Sequence, residues 1–110
     1  MKYKYKYSLE AEKDLDNFNK FQINQITKAL RKVVQNPLPQ NEGGYGKPLG
    51  NKYGNNLTGF SKIVLMKLGI RVVYELIRTA DMMEIIVVAA RADEEVYDIA
   101  SKRINNKKGD

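Results

Sequence analysis

The stretch from Phe60 to Ala90, FSKIVLMKLGIRVVYELIRTADMMEIIVVAA, decides the fold. Ser61 to Lys67 is rich in β-favouring residues, Gly69 is a turn residue, and Ile70 to Ile77 continues through Val72, Val73 and Tyr74, so the two runs read as a hairpin. Thr79, Ala80 and Asp81 make the next turn. Met83 to Ala90 is almost wholly apolar, the pattern of a strand that is central in its sheet or covered on both faces.

Towards the N-terminus, Lys2 to Tyr7 alternates lysine and tyrosine. This places Tyr3, Tyr5 and Tyr7 on one face of a first strand and the lysines in water. Ser8 can cap a helix whose first turn holds Glu10 and Glu12, with Ala11, Leu15 and Phe18 as its apolar stripe. A second helix begins after Asn19, with Gln22 three residues on as in a capping box. Its apolar face is Ile23, Ile26, Leu30, Val33 and Val34, and Pro37 ends it. Two amphipathic helices with almost no loop between them form an antiparallel hairpin that must lay its apolar side on something else, and the sheet is available.

Asn36 to Asn56 carries Pro37, Pro39 and Pro48 with Gly43, Gly44, Gly46, Gly50 and Gly54, and reads as one long loop. It is no nucleotide cradle, because Pro48 stands where a P-loop after Gly46 and Lys47 needs serine or threonine. After the last strand, Asp93 is placed as the N-cap of a short helix through Val96, Ile99 and Ala100 to about Ile104, and residues 105–110 are expected to fray. The expected architecture is a single α+β domain over residues 1–110, of order β-α-α-β-β-β-α. A mostly antiparallel sheet packs against a helical hairpin, with a short C-terminal helix.

Nineteen Lys and Arg against thirteen Asp and Glu give a net charge of +6, which favours a polyanionic partner. Cysteine is absent, which removes disulfides, thiolate nucleophiles and zinc–thiolate sites and suits a reducing cytoplasm. No run approaches the roughly 18 apolar residues of a membrane span, and MKYKYKYSLE lacks the apolar stretch of a secretory signal, so a soluble cytoplasmic protein is expected.

Histidine is also absent, and with it a paired-histidine ribonuclease, a Ser-His-Asp triad and any histidine-ligated metal. What remains is carboxylate, lysine, arginine and tyrosine chemistry. Asp93, Glu94 and Glu95 read as helix-start acids rather than as a magnesium site, so neither metal nor cofactor is expected. Lys62, Arg71 and Arg91 each interrupt or terminate an apolar strand pattern. Each alone reads as a strand-end or snorkelling cation, but three on neighbouring strands can converge on one phosphate. RNA supplies its own nucleophile, the 2′-hydroxyl. A protein can therefore cleave it without metal by moving protons and stabilising the phosphorane, provided neighbouring positive charge tunes the lysine or tyrosine involved.

KPLGN at Lys47 to Asn51, GFSKIVLMKLGIRVVYEL at Gly59 to Leu76 and IIVVAARADEEVYDIASKRI at Ile85 to Ile104 resemble the RelE/ParE toxin superfamily, and within it the RelE-like ribosome-dependent endonucleases. The resemblance implies the toxin of a type II toxin–antitoxin system, cleaving messenger RNA on the ribosome and held by a cognate antitoxin. It implies phosphate contact for Arg71, leaving-group or transition-state stabilisation for Arg91, and stacking on or orientation of the cut nucleotide for Tyr97. Lys62 matches the first of two family lysines on its strand, and Lys47 and Lys67 join as RNA-binding cations. The second family lysine, the proposed base, is Val64 here, which leaves the proton acceptor open among Lys62, Lys67 and Tyr97. Two other readings remain: a ParE-like inhibitor of DNA gyrase with the same fold, and a basic nucleic-acid-binding domain without catalysis.

Overall fold

A computed structural model describes residues 3–108. Strand β1 (Lys4–Tyr7) leads into helix α1 (Leu9–Asp14), a single 3-10 turn and helix α2 (Lys20–Val33). Strands β2 (Lys47–Lys52), β3 (Asn55–Leu65), β4 (Ile70–Ile77) and β5 (Met82–Ala89) follow, and helix α3 (Asp93–Lys108) closes the chain. The five strands form one sheet in the order β1-β5-β4-β3-β2. β1 runs parallel to β5, and every other pair is antiparallel. The α+β class and the helical hairpin are as the sequence predicts.

The expected caps form. Ser8 Oγ accepts from the Ala11 amide at 3.2 Å. Asn19 and Gln22 exchange reciprocal side-chain bonds with each other's backbone amides, both at 2.8 Å, so the second helix starts where two orphan donors are satisfied at once. In β1 the lysines Lys4 and Lys6 are exposed while Tyr5 and Tyr7 are half-buried. Lys2 of the predicted strand lies outside the described residues.

Two expectations about the chain after α2 are corrected. Asn36 to Asn56 is not one loop, because it contains β2 and the start of β3, joined at Lys52↔Asn55 by the two residues Tyr53 and Gly54. Both have positive φ, 54° and 75°, the geometry whose twist matches a tight hairpin. Pro48 is tolerated because β2 is the edge strand, and a register shift between Pro48 and Gly50 marks a bulge. The element order therefore has one more strand than predicted. The loop that remains before β2 is tied down by Tyr74, whose hydroxyl donates to the Pro37 carbonyl at 2.7 Å. That hydroxyl occupies the space a Cβ on residue 46 would need, hence Gly46.

The closing helix is corrected at both ends. Its first backbone bond runs from the Val96 amide to the Ala92 carbonyl, so Asp93 is the first helical residue and not the cap. The helix also runs on to Lys108, past the expected end near Ile104 and through most of the segment expected to fray.

Both sheet faces are covered. On one, Ala11, Ile26, Leu30 and Val33 of the hairpin pack against Ile63, Ile70, Val72, Met83, Ile85 and Val88. On the other, Val96, Tyr97 and Ala100 of α3 pack against Leu49, Leu57, Val73, Ile86 and Val87. Strand β5 feeds both cores, Met83, Ile85 and Val88 on the hairpin side and Ile86 and Val87 on the α3 side, and this is why Ile85 to Val88 is apolar without alternation. The period-two rule then fixes which side of the sheet each cation occupies. Lys62 and Val64 alternate with Ile63 and so lie on the α3 face. Arg71, the cross-strand partner of Val64, lies there too.

Candidate functional site

The α3 face of β3 and β4 gathers the cations that the sequence singles out, and the first turns of α3 meet them. Lys62 is buried, with its side chain only 4% exposed, and its Nζ lies 2.8 Å from Asp93 Oδ1. Arg71 Nε reaches the same oxygen at 2.6 Å. One of its terminal nitrogens, NH1, donates to the Arg91 carbonyl, also at 2.6 Å. Beneath Lys62 lies the ring of Tyr97, with the ammonium 5.2 Å from the centroid, a distance at which the ring quadrupole stabilises a cation. Tyr53, from the tight β2–β3 turn, meets Tyr97 edge-on at 5.4 Å and is itself exposed.

The structure thus brings Lys62, Arg71 and Tyr97 together. Arg91 contributes its carbonyl, while its side chain is exposed and lies 3.8 Å from Glu95 one turn on. Tyr97 is buried between Lys62 and Tyr53, so in this arrangement its ring faces side chains rather than solvent. Lys47 is exposed on β2 and is the register partner of Lys62. The two share a groove of about 420 Å³ with Lys32, Tyr45 and Val64. Lys67 sits in the turn between β3 and β4, where it lines an adjoining groove with Phe21, Lys28 and Lys32 of α2.

Sequence reasoning missed two residues here. Tyr53 lay inside the supposed loop. Asp93 was read as a cap, and only the approach of α3 to the sheet reveals that its carboxylate turns back onto Lys62 and Arg71. Burial alone raises the pKa of that carboxyl. The hydrogen bonds and charges of Lys62 and Arg71 outweigh burial and hold it below its ordinary value.

A carboxyl with a depressed folded-state pKa contributes stability that is fully present above its unfolded value, near 3.8. That contribution disappears as the pH falls through the depressed folded value. Asp93→Asn should therefore be less stable than wild type in urea unfolding at neutral pH. The difference should close as the pH falls below 3.8 and through the depressed folded value, and a difference independent of pH would show that the charge of Asp93 is not what stabilises the fold.

A sheet with a helical hairpin on one face, a closing helix on the other and a lysine–arginine pair meeting the first turn of that helix defines a small basic α+β domain. No family model matches the sequence, and no curated protein matches it. Among solved structures, the free double arginine-to-alanine variant of the E. coli toxin RelE aligns over 94% of this chain and 99% of its own, with TM-score 0.72 and 26% identity. A crystal structure of isolated E. coli RelE covers 93% and 98%, with TM-score 0.65 and 26% identity. The RelBE2 toxin–antitoxin complex of Mycobacterium tuberculosis matches in fold over 83% of this chain, with TM-score 0.56 and 20% identity. The chain has the RelE-like toxin fold. No helix among the described residues is long and apolar enough to cross a membrane.

Proposed function

We propose that the protein is the toxin of a type II toxin–antitoxin pair and that it cleaves messenger RNA in the ribosomal A site by metal-independent attack of the 2′-hydroxyl. The observation that carries this is the convergence of Lys62 Nζ and Arg71 Nε on a single oxygen, at 2.8 and 2.6 Å. That is the contact a non-bridging phosphate oxygen requires. The fold's likeness to RelE supports it, and the occurrence of such toxins in complexes with antitoxins supports a cognate antitoxin as partner. A cytoplasmic site of action follows from the ribosomal target.

In this mechanism the 2′-oxygen gives its proton to a base, open among Lys62, Lys67 and Tyr97, and bonds to phosphorus, the bond to the 5′-oxygen breaks, and the leaving oxygen takes up a proton from a neighbouring acid or water. The products are a 2′,3′-cyclic phosphate and a 5′-hydroxyl end. Arg71, held by the Arg91 carbonyl, is pre-oriented to stabilise charge on the phosphorane oxygens without reorganising during the reaction. Lys62, in its ion pair with Asp93, adds positive charge beside the phosphate. Arg91, exposed at the rim, closes on the phosphate or the leaving group from the solvent side.

Purified protein added to ribosomes programmed with a defined message should produce a cut within the A-site codon, with a cyclic-phosphate 3′ end. The same protein should leave gyrase supercoiling unchanged. Intact message together with blocked supercoiling would move the assignment to gyrase inhibition, and intact message with salt-dependent RNA binding alone would leave a binding domain without catalysis.

A further inference from the structure

The Lys62–Arg71 pair already holds an anion, and that anion is part of the chain. We propose that Asp93 is a built-in occupant of the oxyanion site, closing it in the free protein, and that a phosphodiester enters by displacing the Asp93 carboxylate. The proposal rests on the reading of this face as phosphate-binding and adds a means of regulating it.

Three features of the geometry carry it. First, both cations bind the same carboxylate oxygen rather than one each, so the position marked by Oδ1 is where an incoming phosphate oxygen would make both contacts. Second, the site cannot stand empty. Lys62 has a side chain only 4% exposed, and a buried ammonium without a counter-ion is strongly unfavourable. Some anion must be present at every stage, the carboxylate before binding and the phosphate after. Third, the two sides of the contact differ in freedom to move. Lys62 is enclosed and Arg71 is tied to the Arg91 carbonyl, whereas Asp93 is the first residue of α3 and its side chain is 32% exposed. The carboxylate can swing into water while both cations stay in place.

Ordinary helix-start duty does not account for this contact. Glu94 and Glu95 supply acidic charge to the same turn while exposed, and neither carboxylate reaches Lys62 or Arg71. Among the first-turn acids it is Asp93 that turns back onto the sheet.

The test is binding of a 2′-O-methylated RNA hexamer, which has no 2′-hydroxyl and cannot be cut. Asp93→Asn should bind it roughly tenfold more tightly than wild type, the factor expected when one competing charge-assisted contact is removed. Glu94→Gln makes the same change in net charge without touching the pair, and should stay within about twofold of wild type. Equal gains in both variants would reduce the effect to general electrostatics and overturn the proposal. Weaker binding by Asp93→Asn would overturn it too, and so would a hexamer that neither variant nor wild type binds.

Asp93→Asn leaves Lys62 without its counter-ion and can impair folding, so a second measurement uses the wild-type protein. On saturation with the hexamer, the carboxyl carbon resonance of Asp93 should move together with the Arg71 Nε resonance. An Arg71 shift with Asp93 unmoved would mean that phosphate binds without displacing it. Neither readout depends on cleavage. Displacement of Asp93 with no cut on the ribosome would leave this inference standing and sink the nuclease reading, and the reverse pattern would sink this inference alone.

Discussion

Arg71→Ala should lower the single-turnover rate of message cleavage on programmed ribosomes by roughly 10²–10³, the loss typical of removing one pre-positioned transition-state donor. Arg91→Ala should lower it less, by about tenfold, because an exposed side chain must first be ordered before it can act. The difference follows from how each is held. Arg71 is fixed at two points, by Asp93 Oδ1 at 2.6 Å and the Arg91 carbonyl at 2.6 Å, whereas the side chain of Arg91 is 64% exposed and its ion pair spans 3.8 Å. Arg71→Lys should not rescue the rate. A lysine cannot keep the Arg91 carbonyl and a phosphate oxygen on one rigid planar fork. The double variant Arg71→Ala with Arg91→Ala should show no cleavage above background. A cut that survives both changes would end the nuclease assignment.

The parts of this site that were legible in the sequence are those that local periodicity encodes. Lys62, Arg71 and Arg91 stand out in the sequence because they break apolar strand patterns, and strict alternation with the glycine turn at position 69 puts Lys62, Val64 and Arg71 on one face of the sheet. Ser8, Asn19 and Gln22 announced two helix starts because capping is a contact over three residues. What could not be read was anything set by approach across the sheet. Asp93 meets Arg71 across 22 residues of chain, and no local pattern distinguishes that carboxylate from an N-cap. β2 escaped for a different reason. Its Pro48 and Gly50 are loop-formers by propensity, and they are tolerated because an edge strand can carry a proline and a bulge.

Asp14→Ala should destabilise the fold by about 3 kcal/mol, the lower end of what breaking a buried ion pair costs, and lower the melting temperature by more than roughly 10 °C. Nothing in the sequence marks this residue, which reads as a polar position at the end of α1. In the fold it joins three elements. Asp14 Oδ2 accepts from the Val88 amide at 2.9 Å and from Arg103 NH1 at 2.7 Å, and Oδ1 accepts from Arg103 NH2 at 2.9 Å. The need for it comes from the sheet. β1 pairs with β5 only as far as Tyr7↔Ile85, so Val88 lies beyond the last register pair on that side, and the side chain of Asp14 supplies the acceptor a longer β1 would have given. The register shift between β4 and β5 passes over Ile86, between Val73↔Val87 and Tyr74↔Ile85, and Arg103 NH1 donates to the Ile86 carbonyl there at 2.9 Å. The bond from Asp14 raises the pKa of the Arg103 guanidinium further. Removing Asp14 leaves the Val88 amide without its acceptor and Arg103 with only the Ile86 carbonyl and the longer ion pair to Glu10 at 3.6 Å, whereas Arg103→Met leaves Asp14 still accepting from Val88 and should cost less, about 2 kcal/mol. Urea unfolding of wild type, both single variants and the double variant measures the coupling directly, and a coupling below about 0.5 kcal/mol would show the two acting independently. Because Arg103 ties α3 to the sheet and to α1, the same variants should loosen the helix whose first two turns carry Asp93 and Tyr97. A network far from the Lys62–Arg71 pair would then help decide how firmly Asp93 occupies it.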